Sequence, residues 1–125
     1  MGTWTNEELN RIESTAEVAM APLDDDGSQR EPVTIWVVRD GDDVFVRSYR
    51  GLDGAWFRAA KVSHEGHLQA DGVDKDVTLT EEADPDLNER LDAAYRSKYS
   101  RYGAEYVEAI VAEPARATTL KVMPR

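Results

Sequence analysis

The sequence predicts an α+β fold, a six-stranded antiparallel β-barrel with flanking helices, on three observations. Two apolar runs meet at Asp40-Gly41-Asp42, which reads as a hairpin. A second alternating pair surrounds Asp71-Gly72, and a β-branched segment, Ala117 to Met123, closes the pattern after a long helical stretch. A barrel is the economical arrangement of such strands, because closure hides the edges they would otherwise expose.

Each element has a local cause. Thr5 caps a first helix over Asn6 to Ser14, Glu8 completes a capping box, and Trp4 staples onto Leu9. The short apolar run Glu17 to Leu23 reads as a strand, ended by Asp24-Asp25-Asp26-Gly27-Ser28. That acidic triplet lacks the alternating ligands and terminal Glu of a calcium loop and reads as a solvated turn. Val33 to Arg39 is one strand, apolar on both faces, with Val33, Ile35 and Val37 opposite Trp36 and Val38. Val44 to Tyr49 returns antiparallel, with Val44, Val46 and Ser48 on one face and Phe45, Arg47 and Tyr49 on the other. Ala55 to Val62 is a short helix. Leu68 and Ala70 pair across Asp71-Gly72 with Val73 to Leu79. Asp84-Pro85 opens a third helix, which Gly103 ends, and Ala104 to Ala112 forms a fourth before Pro114. The length fits one domain, divided as an N-terminal helix (1–16), barrel strands with a short helix (17–82), a helical segment (84–112) and a last strand (116–123).

Composition narrows the function classes. The chain has no cysteine, which excludes disulfide frameworks, thiolate metal sites and thiol catalysis and fits a reducing compartment, the cytoplasm. No apolar run approaches the roughly 20 residues of a membrane span, and the first residues do not read as a signal peptide. A formal net charge of −10 disfavours nucleic acid as partner. His64-Glu65-Gly66-His67 is too short for a zincin pair and reads as a turn leading into a strand. No metal site, P-loop, dinucleotide fingerprint or nucleophile elbow is identified.

Against this acidic background, Arg47 to Lys61 gathers Arg47, Arg50, Arg58 and Lys61 with a single acid, Asp53. Two readings of this window compete. It holds a small anion such as a phosphate, or its long basic side chains cover the outside of a strand and a helix. Trp36 and Trp56 either flank a ring system or belong to the core. Tyr95, Tyr99 and Tyr102, interleaved with Arg96, Lys98 and Arg101, either dock their helix or reach a cofactor.

The stretches PVTIWVVRDGDDVFVRSYRG, AWFRAA and ATTLKVMPR resemble an uncharacterised bacterial family of the FMN-binding split-barrel superfamily, related to pyridoxamine phosphate oxidases and deazaflavin-dependent nitroreductases. The resemblance implies a six-stranded antiparallel split β-barrel, a homodimer, and a cofactor groove with its phosphate held after the third strand. On the same resemblance, Arg47 and Ser48 meet the phosphate, Arg50 and Arg58 flank it, Trp56 belongs to the helix motif, and Thr34, Ile35 and Trp36 lie along the ring. Asp24 to Pro32 replaces the basic glycine-rich segment of many deazaflavin enzymes, which counts against the deazaflavin coenzyme and favours FMN, or no cofactor at all. The expectation is a flavin-dependent oxidoreductase of unspecified substrate, its redox chemistry supplied by the cofactor and its catalytic residues unassigned. The alternatives are a non-catalytic module for an anionic small molecule in the same groove, and an interaction domain whose groove has degenerated.

Overall fold

The computed structural model describes residues 3–24 and 26–125, so Asp25 of the acidic turn and the first two residues lie outside it. The first helix, α1 (Asn6–Ser14), begins as its sequence dictates. Thr5 Oγ1 accepts the Glu8 N–H, and the Glu8 carboxylate accepts the Thr5 N–H. Leu9 and Ile12 turn inward, and the buried Trp4 donates its indole N–H to the Val122 carbonyl, tying the entrance of the helix to the far end of the chain.

Seven strands follow: β1 (Val18–Pro22), β2 (Val33–Ile35), β3 (Val38–Asp40), β4 (Asp43–Val46), β5 (Glu65–Ala70), β6 (Val73–Glu81) and β7 (Leu120–Pro124). They form one curled sheet in the order β2-β1-β5-β6-β7-β4-β3, every pair antiparallel. Helix α2 (Ala55–Ser63) follows β4, while α3 (Pro85–Tyr99) and α4 (Ala104–Val111) separate β6 from β7. The α+β class and the antiparallel barrel are as expected.

The single strand expected over Val33 to Arg39 is corrected. It divides at Trp36-Val37: Ile35 pairs with Val18 of β1, whereas Val38 pairs with Phe45 of β4. These partners each lie one strand in from opposite edges of the sheet, so the segment must bend to supply both edge strands, and six strands become seven. The alternation nonetheless holds across the bend. Val33, Ile35 and Val37 face one cluster, Trp36 and Val38 the other.

Other boundaries also move, and the strand expected over Val44 to Tyr49 already ends at Val46. Residues 115–118 form a 3-10 turn that takes in Ala117 and Thr118, the first residues of the expected last strand, because Thr118 and Thr119 donate their hydroxyls to the carbonyls of Ala115 and Arg116, an alternative to ladder bonding. Helix α3 stops at Tyr99, and residues 100–102 tighten into a 3-10 turn before Gly103. The turn expected at His64 to His67 shrinks to His64 alone, whose φ of 59° ends α2, and Glu65, Gly66 and His67 already belong to β5. Gly66 suits that position, since a Cβ would lie 3.2 Å from the Ala21 carbonyl oxygen and the neighbouring strand would have to give way by a few tenths of an ångström.

Two apolar clusters result. The barrel interior is aliphatic around Met20, Val44, Val46, Leu68, Val77, Leu79, Leu120 and Val122. The other lies between β3–β4 and the helices α3 and α4, built from Val38, Phe45, Leu91, Tyr95, Tyr99 and Ile110. Strand β4 alternates between them, as its sequence predicts. Among the described residues, no helix is long and apolar enough to cross a membrane.

Candidate functional site

A groove of about 820 Å3 opens beside the strand break, between β2, the segment after β4, the start of α2, and the α3–α4 junction. Thr34, Ile35, Trp36, Ser48, Arg50 and Trp56, all singled out in the sequence, line it. Glu17, Tyr49, Asp53, Gly54, Tyr102, Tyr106 and Ile110 join them. The lining is thus mostly aromatic and aliphatic with a few charged groups, the composition of a small-molecule site.

One wall is set by stacking. Trp36 lies face to face on Tyr99, with ring centroids 4.0 Å apart and planes 5° from parallel. Tyr102 tilts against both rings at 6.2 and 5.8 Å. Behind this wall α3 holds the strand break. The Tyr99 hydroxyl accepts the Val37 N–H at 3.0 Å and donates to the Ala16 carbonyl at 2.6 Å. Lys98 Nζ donates to the carbonyls of Val37 at 2.9 Å and Ile12 at 3.2 Å. Burial drives the Lys98 ammonium down to about 8, against the opposing pull of Glu13, and pushes the Tyr99 phenol up, so that Tyr99 keeps its proton as a donor.

The opposite end of the groove is suited to an oxyanion. Helix α2 begins at Gly54, which offers no capping side chain, and its first turn carries no acid. The first bonded N–H there is that of Arg58, to the Gly54 carbonyl, which leaves the amides of Ala55, Trp56 and Phe57 without a partner among the described residues. Beneath lies Ser48, fully buried, its Oγ unpaired. A Cβ on Gly54 would stand 2.5 Å from that Oγ, so glycine alone permits this approach. Arg50 is exposed at the same end and forms no ion pair among the described residues.

The role expected of Arg47 is corrected. Its side chain is 1% exposed and all five of its N–H donors are taken within the protein. Nε donates to Thr119 Oγ1, Nη1 to Asp92 at 2.6 Å and to the Ile110 carbonyl, and Nη2 to the carbonyl and side-chain oxygens of Asn88. Its guanidinium also lies 5.3 Å from the centre of the Tyr95 ring. Arg47 therefore stands one layer behind the groove and cannot grip a ligand. Arg58, exposed on α2, does not line the groove either, and the four-cation window contributes one guanidinium to it, that of Arg50. The acidic loop is also re-placed. Asp24 pairs with Arg30, Asp26 accepts from Ser28, and neither lines the groove, whose carboxylates are Glu17 and Asp53.

Sequence reasoning missed Gly54, whose signal was a glycine directly before a helix without an acidic first turn. It also missed Tyr106, four residues after Tyr102 and exposed beside Tyr49 at a centroid distance of 6.2 Å. Tyr95 was expected to dock its helix and does so, fully buried.

The fold is that of several solved structures. The heme storage protein HutZ from Vibrio cholerae matches with a TM-score of 0.67 at 12% identity, over 96% of this chain and 89% of that one. An FAD-binding protein from Mesorhizobium loti gives 0.62 at 12% identity, over 98% and 91%. An F420 reductase gives 0.55 at 18% identity, over 93% and 91%. At these identities the likeness is one of fold, the split barrel expected from the resemblance. No curated protein matches the chain by sequence. A family profile does match, over residues 8–122, strands and helices together, and the chain belongs to that family, described as uncharacterized protein conserved in bacteria (DUF2255).

Proposed function

We propose that the groove binds a flavin of the FMN type and that the protein acts as an oxidoreductase on a substrate still to be identified. The observation that carries this reading is the pairing, at one end of an aromatic groove, of an uncapped helix N-terminus with the unpaired Ser48 hydroxyl and the unpaired Arg50 guanidinium. The partial positive charge of the α2 amides, one hydroxyl and one guanidinium together suit a terminal phosphate. Trp36 and Trp56 supply apolar surface for the ring system, and backbone groups of Thr34 and Ile35 can meet its polar edge.

Bound flavin supplies hydride or single-electron transfer. The chain's own residues have the simpler tasks of holding the phosphate, fixing the ring and excluding water from one of its faces. The solved neighbours include proteins whose names record FAD, F420 or heme. Among the described residues, the groove lining contains no His, Cys or Met, the side chains that most often ligate heme iron, which counts against heme among the three. A homodimer in the cytoplasm completes this reading, with a second copy closing the exposed rim of Tyr49, Tyr102 and Tyr106. Light scattering with and without FMN tests that part.

Titration of purified protein with FMN, F420 and heme, followed by fluorescence quenching and thermal shift, tests the cofactor. Micromolar or tighter FMN binding, weakened by Arg50→Ala, is the expected outcome. Stabilisation by other phosphorylated metabolites without FMN binding or turnover of reduced nicotinamide would instead select the non-catalytic binding module.

A further inference from the structure

The strand break is the least self-sufficient part of the barrel. Between β2 and β3 the backbone of Val37 belongs to neither ladder, and helix α3 meets both of its polar groups from two adjacent residues. A buried peptide group needs such partners, but these two do more than satisfy it. Lys98 also reaches the Ile12 carbonyl in the last turn of α1, and Tyr99 reaches Ala16, one residue before the groove carboxylate Glu17. The same Tyr99 ring lies flat against Trp36, the residue next to Val37. Backbone position and indole orientation are therefore fixed from a single turn of one helix.

We propose that Lys98 and Tyr99 are positioning residues, a clip that holds the strand break so that Trp36 presents the remainder of its indole to the groove as the wall for a planar ring. This rests on the reading of the groove as a ring-binding site, and neither side chain needs to touch the ligand. A lysine ordinarily keeps its ammonium in water, and one with two backbone carbonyls as its partners is placed to direct backbone geometry. Tyr99 could dock its helix with the ring alone. Its hydroxyl, bonded to two other segments, is the part that docking does not require.

The test uses Tyr99→Phe, which keeps the stacking ring and removes the hydroxyl, together with Lys98→Met and Lys98→Arg. The share of the near-ultraviolet circular dichroism that depends on the indole is defined by Trp36→Phe and followed in each variant. FMN dissociation constants are measured well below each melting midpoint. In Tyr99→Phe and Lys98→Met the expected result is loss of most of the Trp36-dependent signal, with far-ultraviolet spectra unchanged and FMN binding weakened about tenfold, the scale of one or two lost buried hydrogen bonds. Lys98→Arg, able to donate to both carbonyls, restores signal and affinity. Arg50→Ala weakens FMN binding while leaving the signal intact. Variants that only melt earlier, with Trp36 signal and FMN affinity unchanged, overturn the proposal and leave Lys98 and Tyr99 a structural role alone. Should the wild type take up no FMN, the flavin reading fails by itself, and the Trp36 signal of the free proteins still decides whether the clip exists.

Discussion

Inside the barrel, Met20, Leu68, Leu79, Leu120 and Val122 pack with hardly a polar atom among them. Across β4, the layer beneath α3 and α4 is built from tyrosines and a buried arginine, joined by Asp92, Asn88 and Thr119. The first region draws its stability from burial, which tolerates exchange of one aliphatic group for another of similar volume. The second depends on bond geometry, which does not. It is also the second region that abuts the groove, since Ile110 and Tyr102 line the groove while neighbouring atoms hold Arg47 and Trp36. Shape comes from the dry side of the sheet, and the wired side positions one wall of the groove.

The comparison breaks most readily at its dry side. Leu79→Ala in the barrel interior should cost about 2–5 kcal/mol in urea unfolding, the range for a buried leucine whose cavity cannot collapse. A smaller loss would mean that the interior is less tightly packed than its burial indicates. On the wired side, Arg47→Met should cost about 3 kcal/mol, at the low end for a broken buried pair because Arg116 still reaches Asp92 at 3.1 Å. If the variant proves as stable as the wild type, the network contributes orientation and no stability. Arg50→Ala, outside both regions, should change stability by less than about 0.5 kcal/mol while weakening FMN binding about tenfold. A large stability loss there would move Arg50 out of the groove and into the scaffold.

The smallest effect concerns pH. His67 on β5 donates to Asp76 at 2.8 Å and to Asp74, both on β6. These bonds, that to Asp76 first, raise its pKa above the usual 6.5 in spite of partial burial. A raised folded value favours the protonated native state. Its contribution is complete below the unfolded value near 6.5 and is lost as pH rises through the folded one. Melting midpoints should therefore decline slightly above pH 6.5 in the wild type, and His67→Gln should flatten that decline. Identical pH profiles would show that the carboxylates release the imidazole in solution.

How far the sequence could be read follows from the range of the forces involved. The capping box of α1 and the alternation of β4 were legible because each depends on residues within one turn or one strand pair. Arg47 was not, since the groups that claim it, Asp92, Asn88 and Thr119, stand 45, 41 and 72 positions away. A cation in a basic window looks free until those partners are brought to it. The strand break was hidden for the same reason. Nothing in VTIWVVR marks Trp36-Val37 as a bend, and only the two separate edges that the segment must serve impose one. Ser48 was assigned through the family resemblance, but its unpaired hydroxyl became visible only with Gly54 folded above it.

The place of β7 bears on how the molecule comes to be made. Although late in the sequence, it lies between β6 and β4, with Val122 paired to Leu79 on one side and Val44 on the other. During synthesis, at about 5–20 residues per second, the β3–β4 hairpin must wait for Leu120, the partner of Val46, before its outer ladder can form. Helices α3 and α4 precede β7 and can cover the Val38 and Phe45 face, but until β7 arrives the Val44 and Val46 face lacks Leu120 and Val122 and the open edge of β4 needs shielding for several seconds. A ribosome-bound chain arrested before residue 120 should accordingly remain open to protease, and one arrested with β7 fully emerged should become resistant in a single step.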